Sequence, residues 1–130
     1  MNNCTYRKIL VLDDCDITIK AIQSALLDTG YLVECTDTVE KAVISYHNNP
    51  RPDLLILDND LGFGEILGVD VLDILDKKVP IVMHSGNNSI KKIALDNGAI
   101  DFIQKDRGLS KLVSSIKVIL KHRPDANNIS

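Results

Sequence analysis

Short apolar runs alternate with segments of helical period along the whole chain. Ile9-Leu10-Val11-Leu12, Leu54-Leu55-Ile56-Leu57 and Ile81-Val82-Met83 are nearly continuous apolar stretches bounded by polar or turn residues. Runs of that kind read as strands buried on both faces of a parallel sheet. The pattern predicts five strands, at residues 8–13, 31–35, 53–58, 80–84 and 99–104. Between and after them apolar residues recur at helical spacing. Ile22, Ala25, Leu26 and Thr29 mark the first helix, and Val39, Ala42, Val43 and Tyr46 the second. Val69, Leu72 and Leu75 mark a short third, and Ile90, Ile93 and Ala94 a fourth. Leu109, Leu112, Val113, Ile116 and Leu120 form the clearest stripe, with Lys111, Lys117 and Lys121 off it. Strictly alternating strands and helices predict an α/β fold, and right-handed crossovers place helices on both faces of the sheet.

Local punctuation agrees. Gly30 and Gly98 end helices. Asp37 with Glu40 has the spacing of a capping box, with Asp in place of the usual Ser or Thr. Pro50-Arg51-Pro52 closes the second helix, because proline disfavours helix in the residue before it. Residues 59–68 form the longest irregular stretch. They carry Gly62, Gly64 and Gly68 and directly follow Asp58, a position where functional loops tend to sit. Gly62-Phe63-Gly64 is not a dinucleotide fingerprint, since the third glycine is missing and the loop does not follow the first strand.

The 130 residues suit one domain with its own core. The expected division is residues 1–123 as the domain and 124–130 as a polar tail. A net charge of −3 gives no reason to expect direct nucleic-acid or membrane binding. No stretch has the apolar core of a signal peptide or the length of a membrane span. Cys4, Cys15 and Cys35 are odd in number and lack paired metal spacing. They are expected to be reduced thiols of a cytoplasmic protein, acting as small buried apolar residues, with a redox role for Cys15 and Cys35 as the alternative.

Candidate chemistry lies at the strand ends. The first run leads into Asp13-Asp14, the third into Asp58, the fourth into Ser85 and the fifth into Lys105. Ligand sites of open α/β sheets lie just outside the carboxyl ends of the strands. Converging carboxylates would repel one another, and a hard divalent cation would relieve this. Taken singly, the aspartates could cap the next helix, Ser85 could be a turn residue and Lys105 a solvated lysine. All falling in order on one edge of one sheet is a different matter.

From residue 7 to residue 122 the chain resembles the receiver domain of bacterial response regulators, in a stand-alone, chemotaxis-regulator-like form. The resemblance rests on Leu12-Asp13-Asp14, Leu57-Asp58, Ser85, and Phe102 three residues before Lys105. It implies a flavodoxin-like (βα)5 three-layer sandwich with a parallel sheet of order 2-1-3-4-5. It also implies Mg²⁺-dependent transfer of a phosphoryl group to Asp58 from a histidine kinase or histidine phosphotransfer protein. Asp14 and Asp13 would bind Mg²⁺ (or Mn²⁺) together with Asp58 and the backbone carbonyl of Asp60. Lys105 and Ser85 would contact the phosphoryl oxygens, and Ser85 and Phe102 would form the switch. The resemblance further implies a cytoplasmic, non-enzymatic protein that docks a downstream target through its last helix, fourth helix and fifth strand. It would be a monomer or a phosphorylation-dependent homodimer. No output domain is expected after it, so it would act by contact or relay the phosphoryl onward.

Two departures stand out. Family members usually place a cis-proline after the lysine, where this chain has Asp106; the Lys105–Asp106 bond is expected to be trans or strained, and Asp106 to compete for the ammonium. After Asp58 the usual apolar-apolar-proline is replaced by Asn59-Asp60-Leu61-Gly62, so that Asp60 adds a fourth carboxylate. Asn87 and Asn88 could position a hydrolytic water, but are expected to cap a helix. The rival enzyme reading is a haloacid-dehalogenase-like phosphatase with Asp58 as nucleophile and Asp60 as acid. It is disfavoured because that motif belongs on a first strand. A second rival is a receiver-like interaction module that works without phosphorylation.

Overall fold

The computed structural model describes residues 6–61 and 66–122. Cys4, Gly62, Gly64 and the expected tail at 124–130 lie outside them. The chain runs β1 (Lys8–Leu12), α1 (Asp16–Leu26), β2 (Leu32–Thr36), α2 (Val39–His47), β3 (Leu54–Leu57), α3 (Gly68–Ile74), β4 (Ile81–Ser85), α4 (Lys91–Asp96), β5 (Asp101–Gln104) and α5 (Leu109–Lys121). The strands form one parallel sheet of order β2-β1-β3-β4-β5, as the family resemblance implies.

The apolar runs are continuous because helices cover both faces. Alternate strand residues enter two separate cores. Leu10, Leu12, Leu55, Leu57, Ile81 and Met83 pack with residues of α2, α3 and α4. Ile9, Val11, Leu54, Ile56, Val82 and Ile103 pack with residues of α1 and α5. Every residue of β3 and β4 is buried, and a strand buried on both sides has no polar face to alternate with. The α5 stripe behaves as read: Leu112, Ile116 and Leu120 are buried.

Local expectations fail in two places. Ile93 is 51% exposed, and Ala94 is the buried residue of α4. That helix has six residues, too few for a periodic stripe to define its buried side. The cap of α2 is Thr38, whose side chain accepts from the Lys41 N–H at 3.2 Å. Asp37, expected in that role, instead meets the Lys41 ammonium at 3.4 Å. Thr38 holds the extended backbone immediately before the helix, and the capping oxygen must come from that residue. Gly30 has a φ of +84°, consistent with its stop role.

The edge opposite the aspartates is tied by Tyr46. Its buried hydroxyl donates to the Val79 carbonyl at 2.7 Å and lies 3.2 Å from the Val79 N–H, which donates to it. Tyr46→Phe would strand both backbone groups out of water. The expected loss is about 2 kcal/mol in urea unfolding at constant m-value, and unchanged stability would show that water replaces the hydroxyl.

Candidate functional site

The register of the central strands sets the site. Leu12 pairs with Leu57 and Leu57 with Met83, so Asp13 and Asp58 leave β1 and β3 at the level of His84 in β4. The backbone holds them there. The Asp58 N–H donates to the Leu12 carbonyl at 3.0 Å, and the Asp13 N–H to the Thr36 carbonyl at 3.2 Å. Asp13 and Asp58 are buried, while Asp14 is exposed. One oxygen from each of these three carboxylates lies within 4.8 Å of the others. The side chain of Asp60 is exposed and is not a member of that cluster; the Asp60 N–H donates to Asp58 Oδ1 at 3.3 Å.

Lys105 bridges the two buried carboxylates. Its Nζ lies 3.2 Å from Asp13 Oδ2 and 3.3 Å from Asp58 Oδ1. Asp106 is exposed, and the ammonium goes to the strand-end carboxylates. The cis peptide among the described residues is Asn49–Pro50, so the Lys105–Asp106 bond is trans, and Lys105–Arg107 forms a single 3-10 turn. Burial first, then the charge of Asp13, push the Asp58 carboxyl up to about 7, against the pull of Lys105 and of the Asp60 N–H. Burial draws the Lys105 pKa down, but the charges of Asp58 and Asp13 outweigh it and hold it above the usual lysine value. Two buried acids sharing one ammonium leave a deficit of positive charge.

That deficit is the test of a metal. Three carboxylates, one of them facing solvent, suit a cation that keeps several waters and takes one or two protein carboxylates plus phosphate oxygen. Asp13 also accepts from the Cys15 N–H at 2.9 Å, which orients its carboxylate at the start of α1.

Ser85 is buried at the end of β4, and its Oγ accepts from the Asn87 N–H at 3.0 Å. Asn87 in turn caps the next turn by accepting from the Ser89 N–H at 3.0 Å, the role expected of it. Phe102 is buried in the core against α4. Cys15 is exposed rather than buried, because it stands just before α1 at the open edge; a hydrogen bond from the Thr18 side chain lowers its pKa. Cys35 is half-buried, and burial raises its pKa.

The sequence had given three residues here no role at the site. Asn59 holds α3 beside the site: its carbonyl accepts from the Gly68 N–H at 2.9 Å and its Oδ1 from the Val69 N–H at 3.1 Å. Gly68 lies so close that a Cβ on it would stand 2.3 Å from the Asp58 carbonyl oxygen. His84 is buried, with neither ring nitrogen hydrogen-bonded. The available signal for His84 was one ionisable residue closing the apolar run Ile81-Val82-Met83. Gly68→Ala is expected to cost about 2 kcal/mol or more in urea unfolding, as overpacking against backbone does, and to shift Asp58 amide resonances. Wild-type stability in that variant would mean that the 59–68 segment yields freely.

A five-stranded parallel sheet with acids at its central strand ends and a lysine reaching them from the fifth strand defines a receiver-type α/β domain. Comparison with known proteins agrees. Residues 9–117 match the family model for the response regulator receiver domain, and the chain belongs to that family. It is 30% identical over 122 residues to the transcriptional regulatory protein KdpE of Mycobacterium tuberculosis, covering 91% of this chain and 53% of KdpE. It is 32% identical over 110 residues to the nitrogen assimilation regulatory protein NtrX of Azorhizobium caulinodans, covering 81% and 24%. Among solved structures, the receiver domain of NtrX from Brucella abortus superposes with a TM-score of 0.76 at 28% identity, covering 88% of this chain and 99% of that one. The chain thus spans about half the length, or less, of these curated relatives. It is a receiver domain of the two-component response regulator kind. Among the described residues no helix is long and apolar enough to cross a membrane.

Proposed function

We propose that Asp58 accepts a phosphoryl group from the phosphohistidine of a histidine kinase or phosphotransfer protein, and that this changes a partner-binding surface. The observation that carries the reading is Lys105 Nζ spanning Asp13 and Asp58, with Asp14 completing the carboxylate cluster. A carboxylate oxygen of Asp58 attacks phosphorus; the phosphorus–nitrogen bond of the donor breaks, and its electron pair leaves with the imidazole. Asp13, Asp14, Asp58 and the carbonyl of Asp60 would hold Mg²⁺, which when bound offsets the phosphoryl charge. Lys105, already between two oxygens, pairs with the phosphoryl as a point charge. Ser85 exchanges its Asn87 hydrogen bond for one to a phosphoryl oxygen, next to Phe102, which is already buried on the neighbouring strand.

Intact mass after incubation with acetyl phosphate tests this. A phosphoryl-sized gain is expected with Mg²⁺ present, and none with EDTA or in Asp58→Asn. A gain that survives Asp58→Asn would sink the assignment.

A further inference from the structure

A buried imidazole without a hydrogen bond is costly unless another state of the protein supplies the partner. His84 is 2% exposed, and neither ring nitrogen has a partner. Its place in the sheet shows where one can come from. Side chains alternate between the faces of a strand. Val82 and Ile103 belong to the core under α1 and α5, and His84 lies two residues after Val82 and pairs with Ile103, so it faces that side. By the same alternation Asp58 follows Ile56, and Asp13 follows Val11, onto that face. Asp13, Asp58 and His84 thus stand in one row across β1, β3 and β4.

Lys105 enters this row from the far side. In the order β1-β3-β4-β5, the strand between Lys105 and the acids is β4. The Lys105 chain therefore crosses β4 at the level of His84 to bring Nζ to 3.3 Å from Asp58 Oδ1 and 3.2 Å from Asp13 Oδ2. A settled charge-assisted hydrogen bond is shorter, about 2.7–2.9 Å. The ammonium is thus shared between the acids and seated on neither, and its third proton has no acceptor among the described residues. Burial and the Lys105 charge keep the His84 ring neutral at pH 7. One ring nitrogen then carries a lone pair and no proton.

We infer that His84 is a positioning residue for phosphoryl transfer, accepting the spare ammonium proton of Lys105 and so fixing that ammonium beside Asp58. The inference rests on the function proposed above. With a divalent cation on Asp13, Asp14 and Asp58, Lys105 loses its hold on Asp13, because the two positive charges repel. The shortest retreat is back along its own path over β4, where His84 lies. From there Lys105 keeps one proton on the imidazole and turns another to the phosphoryl oxygen. Without that acceptor the flexible four-carbon stem must be ordered anew in each transfer.

Two measurements on the full chain test this. The first is ¹⁵N NMR of the His84 ring at pH 7.5, assigned with His84→Gln. Saturating Mg²⁺ should move the bare nitrogen upfield, as accepting a hydrogen bond does, and should not do so in Lys105→Met. A resonance that stays in place while the Asp14 amide reports metal binding, or that moves equally in Lys105→Met, overturns the proposal. The second is the rate of phosphoryl uptake from acetyl phosphate with Mg²⁺, read by intact mass. His84→Leu, folded by its urea transition, should be slower by about tenfold, the scale of one hydrogen bond to a charged group. His84→Gln or His84→Asn, which return a neutral acceptor, should recover most of the rate. Wild-type uptake in the leucine variant, or no recovery in either amide variant, also overturns it. Absence of uptake in the wild type sinks the receiver chemistry instead, and the ring nitrogen still decides whether Lys105 reaches His84.

Discussion

Lys105→Met should slow phosphoryl uptake by Asp58 about 100-fold, the scale seen when one preorganised charge donor to a reacting oxyanion is removed. The same substitution carries a signature that does not depend on activity. Among the described residues, Lys105 is the cation that lies within 3.3 Å of the buried carboxylates of Asp13 and Asp58. Removing one partner of a buried ion pair strands the other charge. Asp58 can escape by taking a proton, since burial and Asp13 already hold its carboxyl at about 7 and loss of the ammonium raises it further. Below that pH the variant should therefore be nearly as stable as wild type. Above it, where Asp58 ionises without its partner, stability should fall by about 2 kcal/mol, less than for a fully buried pair because the Lys105 side chain is 27% exposed. Millimolar Mg²⁺ should restore much of that loss by supplying the missing charge. Thermal unfolding at pH 6 and pH 8.5, with and without Mg²⁺, reads all three statements. A loss that ignores both pH and metal would mean that Lys105 acts through packing alone.

His84 and Asp58 should give the metal-free protein a stability that changes little with pH, because two steep dependences oppose each other. Burial first, and then the Lys105 charge, press the His84 pKa down to about 4. Its unfolded value is about 6.5, so between those limits the unfolded chain binds more protons, and stability falls as pH is lowered. The full effect is about 3 kcal/mol. Asp58 has the opposite sign. Its folded pKa of about 7 lies above the unfolded carboxylate value, so the folded chain binds the extra proton and stability rises as pH falls through 7. His84→Val should unmask the second slope and Asp58→Asn the first. Urea unfolding from pH 4 to 7.5 checks this, and parallel profiles for the two variants would show that neither group titrates as its surroundings require.

The chain by itself determined the layer architecture, the strand order through family resemblance, and the row of acids, hydroxyl and lysine along one edge. It could do so because burial of β3 and β4 on both faces erases polar alternation, and because a polar residue ending such a run must lie at the sheet's rim. It could not place Ile93, since six helical residues leave the buried side to whatever packs against them. Nor could it show that Lys105 passes over its neighbour Asp106 to reach Asp13, 92 positions earlier. That choice depends on strand register, a property of pairings distant in sequence. The tertiary structure alone likewise decided that Gly68 abuts the Asp58 backbone and that His84 lies beside the site without a hydrogen bond. Each joins elements that the chain's local pattern treats as independent, and only folding brings their charges and volumes close enough to interact.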